Sequence, residues 1–442
     1  MTLIYRFVWW VLRAALRLYY TEIEFSGRSH VPADGPLLFL ANHHNGMVDP
    51  ALLVVACPRQ LRFIAKSTLF KIPVLAFFMR GMKTIPALRQ QDAGGQKQDN
   101  SKLYDAVTDA LAAGGAVALF PEGKSHDDPA LAEFKHGASK MALEAEAKAE
   151  FKLGLRVQMV GIHYERTRLY RGKALVTVGA PMTLESFRDA YAADPRAAVE
   201  ALTKALHERL SKMVLDADTV ELARLADLAE RVTRDEESEP GVKTKLRRKK
   251  LLLERYEQLK ETRPDEMDEL HHLLRRYDQV LRTLHVRDDH VDADYRSGAA
   301  VAWALKNTLL LALGAPFLAV GVLLNAVPYW LVRFCVLLAG SHIDVRASSG
   351  LLVAIVAFPA WYALLAWLAW RYAVDWRIWT PVLATGPVTG TFAIRWLERW
   401  RKMAKETWAV WIAWRLPAVR LRLKEMRAEI VERMGALADS SP

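Results

Sequence analysis

Short apolar runs separated by turn residues occupy the first half of the chain. Residues 36–41, 61–65 and 116–120 read as buried strands, each brief, apolar and bounded by polar or turn-forming residues. Residues 21–25, 156–164 and 174–179 read as further strands, with helical segments at 51–56 and 101–113 and again from 181 to 193. Strands alternating with helices predict an α/β domain. Ahead of them, residues 2–20 form an apolar helix in which Arg6, Arg13 and Arg17 share one face, with Trp9, Trp10 and Leu12 around the rest. That pattern predicts an interfacial or membrane-anchoring helix, and no small-residue cleavage site of a secretory signal follows it. The apolar stretch at 72–79 reads either as core or as part of a wall that contacts an apolar ligand or a membrane.

Beyond residue 196 the periodicity changes. Residues 197–296 are charged and helical; Leu270, Leu274, Tyr277, Leu281 and Leu284 recur at three and four, and Pro264 stands where a new helix would begin. A helical hairpin over 216–296 is expected. Residues 307–332 then form an uncharged run of 26 and residues 347–370 one of 24, each longer than the roughly 20 residues that cross a bilayer. A third apolar run of 17, residues 378–394, contains Pro381, Gly386, Pro387 and Gly390, so a broken span or re-entrant segment is expected there. The expected division is an anchoring helix (1–20), an α/β domain (21–215), a helical hairpin region (216–296), a transmembrane region (297–395) and a basic amphipathic tail (396–442).

Composition sharpens this picture. The 442 residues are 52% hydrophobic and 25% charged, with net charge +11, which favours anionic partners: nucleic acid, an anionic membrane face or phosphorylated substrates. Most of the 14 tryptophans follow residue 360, beside the apolar runs, and point to a membrane interface and not to nucleic acid. The basic run Arg247-Arg248-Lys249-Lys250 lies on a helix whose apolar side includes Leu246 and Leu253, and reads as a solvated or headgroup-facing surface. Two distant cysteines supply neither a disulfide framework nor a metal quartet and suit a reducing compartment. His271, His272, His285 and His290 have no carboxylate cluster at ligand spacing, so no metal is expected.

The chemistry-bearing stretch is Asn42-His43-His44-Asn45-Gly46-Met47-Val48-Asp49-Pro50, directly after the 36–41 strand. One tight turn can bring an imidazole and a carboxylate at this spacing together. The carboxylate then fixes the ring's tautomer, and the ring takes a proton from a hydroxyl, typically raising a rate by about 10²–10⁴-fold. No Gly-x-Ser-x-Gly elbow is present, and neither Cys57 nor Cys335 has a nucleophile-like setting. Direct attack by the substrate's hydroxyl is therefore favoured over a covalent enzyme intermediate. Alone, such residues more often make a capped turn. A second strand, 116–120, opens into Pro121-Glu122-Gly123-Lys124-Ser125-His126-Asp127 and changes that reading.

Asn-His followed by Asp, together with Phe120-Pro121-Glu122-Gly123, resembles the glycerolipid acyltransferase family, whose members make lysophosphatidic and phosphatidic acid. Ile85-Pro86 with Arg89, the run Lys135-His136-Gly137-Ala138 and residues 156–164 extend the resemblance over about residues 20–215. Its wording, with trailing spans, is most similar to the fungal-type glycerol-3-phosphate/dihydroxyacetone-phosphate acyltransferases. The resemblance implies an α/β acyltransferase domain, a mixed sheet flanked by helices, followed by the helical hairpin and the helical transmembrane region. It implies a membrane-bound O-acyltransferase, with acyl-CoA or acyl-carrier protein as thioester donor, glycerol-3-phosphate or 1-acylglycerol-3-phosphate as acceptor, the lipid bilayer as partner, and no further cofactor. The catalytic domain is then cytoplasmic. The resemblance makes His43 the base and Asp49 its orienting partner, with His44 the alternative base because His-x4-Asp is the commoner spacing. It assigns Arg89 to the substrate phosphate, Glu122 and Gly123 to seating the acceptor, and Lys135, ahead of the next helix, to substrate binding as well. Ala87 stands where the family has Val, and no proline precedes Val160-Gly161. Lysophospholipid remodelling and a non-enzymatic scaffold retaining the fold are the alternative functions.

Overall fold

In a computed structural model the short apolar runs assemble into one seven-stranded sheet. The structure describes every residue except 72, 88–100, 127, 166–170, 218, 235–240, 293–297, 339–342 and 440–442. Those residues fall into two units, the first centred on Met1–Thr219 and the second on Val220–Gly340 and Ser349–Pro442.

In the first unit the elements run α1 (Leu3–Tyr19), β1 (Glu22–Ser26), β2 (Leu37–Ala41), α2 (Val48–Ala56), β3 (Leu61–Lys66), α3 (Pro73–Gly81) and β4 (Ile85–Ala87). They continue as α4 (Ser101–Ala112), β5 (Ala116–Leu119), α5 (Gly137–Lys148), β6 (Arg156–Tyr164), β7 (Lys173–Val178), α6 (Arg188–Ala193) and α7 (Pro195–Ser211). Strand order is β1-β7-β6-β2-β5-β3-β4, parallel throughout except for the β6–β7 pair. The sheet is therefore mixed, as expected. All five residues of β2 are buried, which a central strand covered on both faces requires. Leu37 and Phe39 join the apolar layer under α1 and α2, while Leu38 and Leu40 join the layer under α4, α5 and α7.

The α1 helix is tied into this unit. Tyr5 and Leu16 are buried, and Tyr5 Oη accepts from the Leu61 N–H at 3.2 Å. Leu3, Phe7, Trp10 and Leu18 remain exposed.

The second unit is helical: α8 (Val220–Val232), α9 (Val242–Thr262), α10 (Pro264–Leu284), α11 (Gly298–Leu338), α12 (Ile343–Arg371), α13 (Trp376–Arg415) and α14 (Pro417–Asp439). Pro264 opens α10, where its missing N–H costs nothing. Instead of a hairpin alone, α8, α10 and α14 share a core that includes Leu228, Tyr277 and Ile430. The end of the tail is thus packed: Leu423, Met426, Ile430 and Leu437 make a helical stripe, and that stripe is buried.

Two helical segments, Val301–Leu338 and Val353–Arg371, are long and apolar enough to cross a membrane, and many of their large apolar side chains are exposed. The 378–394 run does not break. It lies inside the 40-residue α13, with Pro381 and Pro387 in the helix interior. Packing offsets what the prolines remove, because small residues let the neighbouring helices close in. Gly321 on α11 packs against Thr389, and Asn325 Nδ2 donates to Gly386 O at 3.2 Å while Tyr362 Oη of α12 donates to Asn325 Oδ1 at 2.8 Å.

Candidate active site

Parallel strands put their C-terminal ends along one edge, and side chains just past those ends converge there. Leu40 of β2 pairs with Leu119 of β5, so the chain leaves both strands side by side. His43 from one and Glu122 from the other therefore meet. The His43 N–H donates to Glu122 Oε1 at 2.6 Å, and the His43 carbonyl accepts from the His126 N–H at 3.1 Å. The imidazole of His43 stacks on Phe120, centroids 3.9 Å apart.

On the other side of β2 lies β6, with Ala41 opposite Val160. Asn42 continues the pairing with its side chain: Nδ2 donates to Ile162 O at 2.8 Å and Oδ1 accepts from Ile162 N at 2.7 Å. Buried Asn42 thus extends the ladder one step while the backbone turns away toward α2.

Asp49 sits in the first turn of α2, where the helix dipole favours a carboxylate. It is wholly buried and takes three hydrogen bonds. His43 Nδ1 lies 2.9 Å from Oδ2, the Asn45 N–H donates to Oδ2 at 2.7 Å, and Tyr164 Oη donates to Oδ1. An ionised carboxylate only accepts, so Nδ1 of His43 carries the hydrogen and Nε2 presents its lone pair. Burial first, and then the Asp49 charge, raise the Tyr164 pKa well above the usual phenol value, so this donor stays protonated.

His44 is directed elsewhere. Its Nδ1 lies 3.2 Å from the His126 carbonyl, which can only accept. Glu122 is also buried, and its second oxygen pairs with His126 Nε2. That hydrogen bond raises the His126 pKa above the usual imidazole value, against an opposing effect of burial. Nδ1 of His126 is buried without a hydrogen-bond partner among the described residues.

Gly123 turns the chain at φ +72°, a conformation that glycine adopts without steric cost. Its N–H returns to Phe120 O at 3.1 Å, and the Lys135 N–H donates to Pro121 O at 2.9 Å. The Lys135 ammonium lies so close over Gly123 that a Cβ there would meet Nζ at 2.8 Å.

Of the residues the sequence singles out, the structure gathers His43, His44, Asp49, Glu122, Gly123 and Lys135 at one sheet edge. Arg89 lies outside the described residues, two positions beyond the end of β4. Cys57 is buried, and burial pushes its thiol up to about 11, which suits an inert core residue. Two residues escaped the sequence reading. Tyr164 signals itself only as a phenol ending an apolar strand, and His126 only as a histidine four positions after Glu122.

A family model described as Acyltransferase matches residues 22–163. Over 138 residues the chain is 31% identical to Glycerol-3-phosphate O-acyltransferase 2 of Saccharomyces cerevisiae, covering 31% of this chain and 18% of that protein. It is 22% identical to the Uncharacterized acyltransferase C1718.04 of Schizosaccharomyces pombe, covering 85% of this chain and 70% of that protein. The chloroplastic 1-acyl-sn-glycerol-3-phosphate acyltransferase LPAT1 of Arabidopsis thaliana is 29% identical over 30% of this chain and 35% of its own length. The first of these relatives is thus matched over less than a fifth of its length, and all three alignments are to acyltransferases. Residues 22–163 thus form an acyltransferase domain, similar to those of glycerol-3-phosphate and 1-acylglycerol-3-phosphate acyltransferases.

Proposed function

We propose that the chain is a membrane-bound O-acyltransferase that moves a fatty acyl group from an acyl thioester to a hydroxyl of glycerol-3-phosphate or 1-acylglycerol-3-phosphate. The observation that carries this reading is the His43–Asp49 pair, with a buried, triply bonded carboxylate behind the ring and Nε2 left as acceptor. His43 Nε2 takes the proton of the acceptor hydroxyl as its oxygen attacks the thioester carbonyl carbon. The tetrahedral intermediate then expels the thiolate, which takes the proton from His43. A carboxylate that accepts from the ring holds it in the tautomer this step needs and stabilises the transient imidazolium. The contact of His44 with the His126 carbonyl favours His43 as the base.

Glu122 supports the same step from the β5 side by fixing the backbone of His43. Lys135 lies over the Gly123 turn and, with Arg89, supplies positive charge for the acceptor phosphate. Exposed Phe7 and Trp10 of α1 would rest at the bilayer surface, and the two apolar helical segments would span it, with the catalytic domain on the cytoplasmic face.

The test is acyl transfer by detergent-purified protein, supplied with labelled oleoyl-CoA and either glycerol-3-phosphate or 1-acylglycerol-3-phosphate, with acyl-carrier protein as second donor. Labelled product in one or both tubes, lowered about 10²–10⁴-fold by His43→Ala and retained by His44→Ala, is expected. No transfer with either donor and either acceptor would overturn the reading, and activity unaffected by His43→Ala would remove His43 as base.

A further inference from the structure

A cavity of about 1090 Å³ lies in the second unit, walled by residues of α8, α10 and α13 and by the segment following α10. Its chemistry is one-sided. Arg224 projects from α8, Arg275 and Arg282 from α10, and Lys405 from α13. Two carboxylates answer these four cations. Arg275 makes a two-pronged pair with Glu221 at 2.7 and 3.0 Å, and Arg224 Nε stands 3.0 Å from Asp278. Arg282 is only loosely placed, 3.9 Å from the same Asp278. Lys405 has no carboxylate within ion-pair distance among the described residues. Two positive charges therefore remain uncompensated around one concavity, where mutual repulsion disfavours them unless an anion enters.

The remaining wall is apolar, with Leu281, Val286 and Trp408. Trp408 also fixes the geometry, because its indole N–H donates to Leu284 O at 2.8 Å. That bond holds α13 to the C-terminal end of α10, so Lys405 and Arg282 face the same space. Lys405 follows the end of the apolar 378–394 run by eleven residues on one continuous helix, about 16 Å at 1.5 Å per residue.

We propose that this cavity binds a phosphate monoester, presented by a lipid headgroup or by a soluble ester. A monoester carries close to two negative charges near neutral pH, matching the two uncompensated cations, and its oxygens suit guanidinium forks. The Trp408 wall accommodates the apolar part of such a ligand. None of these residues belongs to the His43 site, so the inference stands or falls separately from the acyltransferase reading.

The test is a footprint that the catalytic site cannot produce. Thr283, exposed on the cavity wall, is replaced by cysteine in a Cys335→Ser background, Cys57 being buried. The full chain is placed in phosphatidylcholine nanodiscs, and its maleimide labelling rate is followed as phosphatidate is added to the bilayer or glycerol-3-phosphate to the buffer. Labelling should slow with the occupying phosphate, and Arg282→Gln/Lys405→Gln should weaken that protection by about tenfold per cation removed. Both side chains are exposed, so these substitutions leave the helices packed. Protection by phosphatidate alone identifies a headgroup site, and protection by the free ester identifies a soluble ligand of the same chemistry. No protection by either, or protection that survives the double substitution, overturns the proposal.

Discussion

Replacing Tyr164 with Phe removes one oxygen from the protein interior and leaves Asp49 Oδ1 without the donor the structure gives it. The ring keeps its place, because Tyr164 is packed in the apolar layer below α1 and α2. A hydrogen bond to a charged acceptor contributes about 1.5–3 kcal/mol. Asp49 retains the Asn45 N–H and His43 Nδ1, both on the opposite oxygen, so the carboxylate can pivot about Oδ2. If about half of the lost bond is felt when His43 becomes cationic, kcat falls about four- to twelvefold. The rest appears as stability, and for a unit of this size each kcal/mol lowers Tm by about 2–4 °C.

The discriminating assay is a double-mutant cycle read on kcat, with the acceptor KM followed alongside. A positioning residue acts through His43. Tyr164→Phe should therefore lower kcat at nearly constant acceptor KM, and should cost almost nothing further in a His43→Ala background. An equal fold-loss in both backgrounds would mean that the phenol only supports packing, and the argument from Asp49 would fail.

Gly123→Ala forces a Cβ onto φ +72°, a cost of about 1–2 kcal/mol. It also meets Lys135 Nζ, but that ammonium can swing into solvent. We expect at least a tenfold loss of kcat/KM that Lys135→Ala does not rescue, and rescue would locate the cost in the side-chain clash instead. His126 has a folded pKa raised by Glu122, so its pairing stabilises the protein fully below the unfolded value of about 6.5 and is lost as pH rises through the folded value. The Tm gap between wild type and His126→Gln should accordingly be widest in mildly acidic buffer and shrink toward alkaline pH; a constant gap would contradict the ion pair. Gly386→Leu drives a side chain into Tyr362 and its bond to Asn325. Overpacking of about 1–3 kcal/mol should lower the Tm of the detergent-purified chain, and an unchanged Tm would mean that these helices do not pack through Gly386.

The strands were legible because β2, β3 and β5 are short apolar runs stopped by turn residues, and a strand buried on both faces needs little else. What the sequence could not carry was long-range pairing. The pairing of β2 with β6 joins segments more than a hundred residues apart, and only that pairing places Tyr164 beside Asp49. The same limit applies to α14. The sequence marks the tail as basic and amphipathic, but not that α8 and α10 cover its apolar stripe. The prolines of α13 misled for a different reason. Proline weakens a helix locally, and whether the helix breaks depends on neighbours such as Asn325 and Gly321, which lie some sixty residues away.

The two adjacent histidines show how one inserted residue can be used. With five residues between His43 and Asp49, the loop is longer than the more common four-residue spacing, and the additional length has to go somewhere without disturbing the ring–carboxylate contact. The structure absorbs it at His44, which turns from Asp49 to the carbonyl of His126. His126 already returns its N–H to the His43 carbonyl and its ring to Glu122. With the His43 N–H donating to Glu122, the β2 loop and the β5 loop are stitched at three points, and the orientation of His43 depends on both. A substitution at His44 should then act on the loop and not on proton transfer: His44→Ala lowers Tm and raises the acceptor KM, whereas His43→Ala lowers kcat. The reverse pattern would move the base to His44 and assign His43 to the loop.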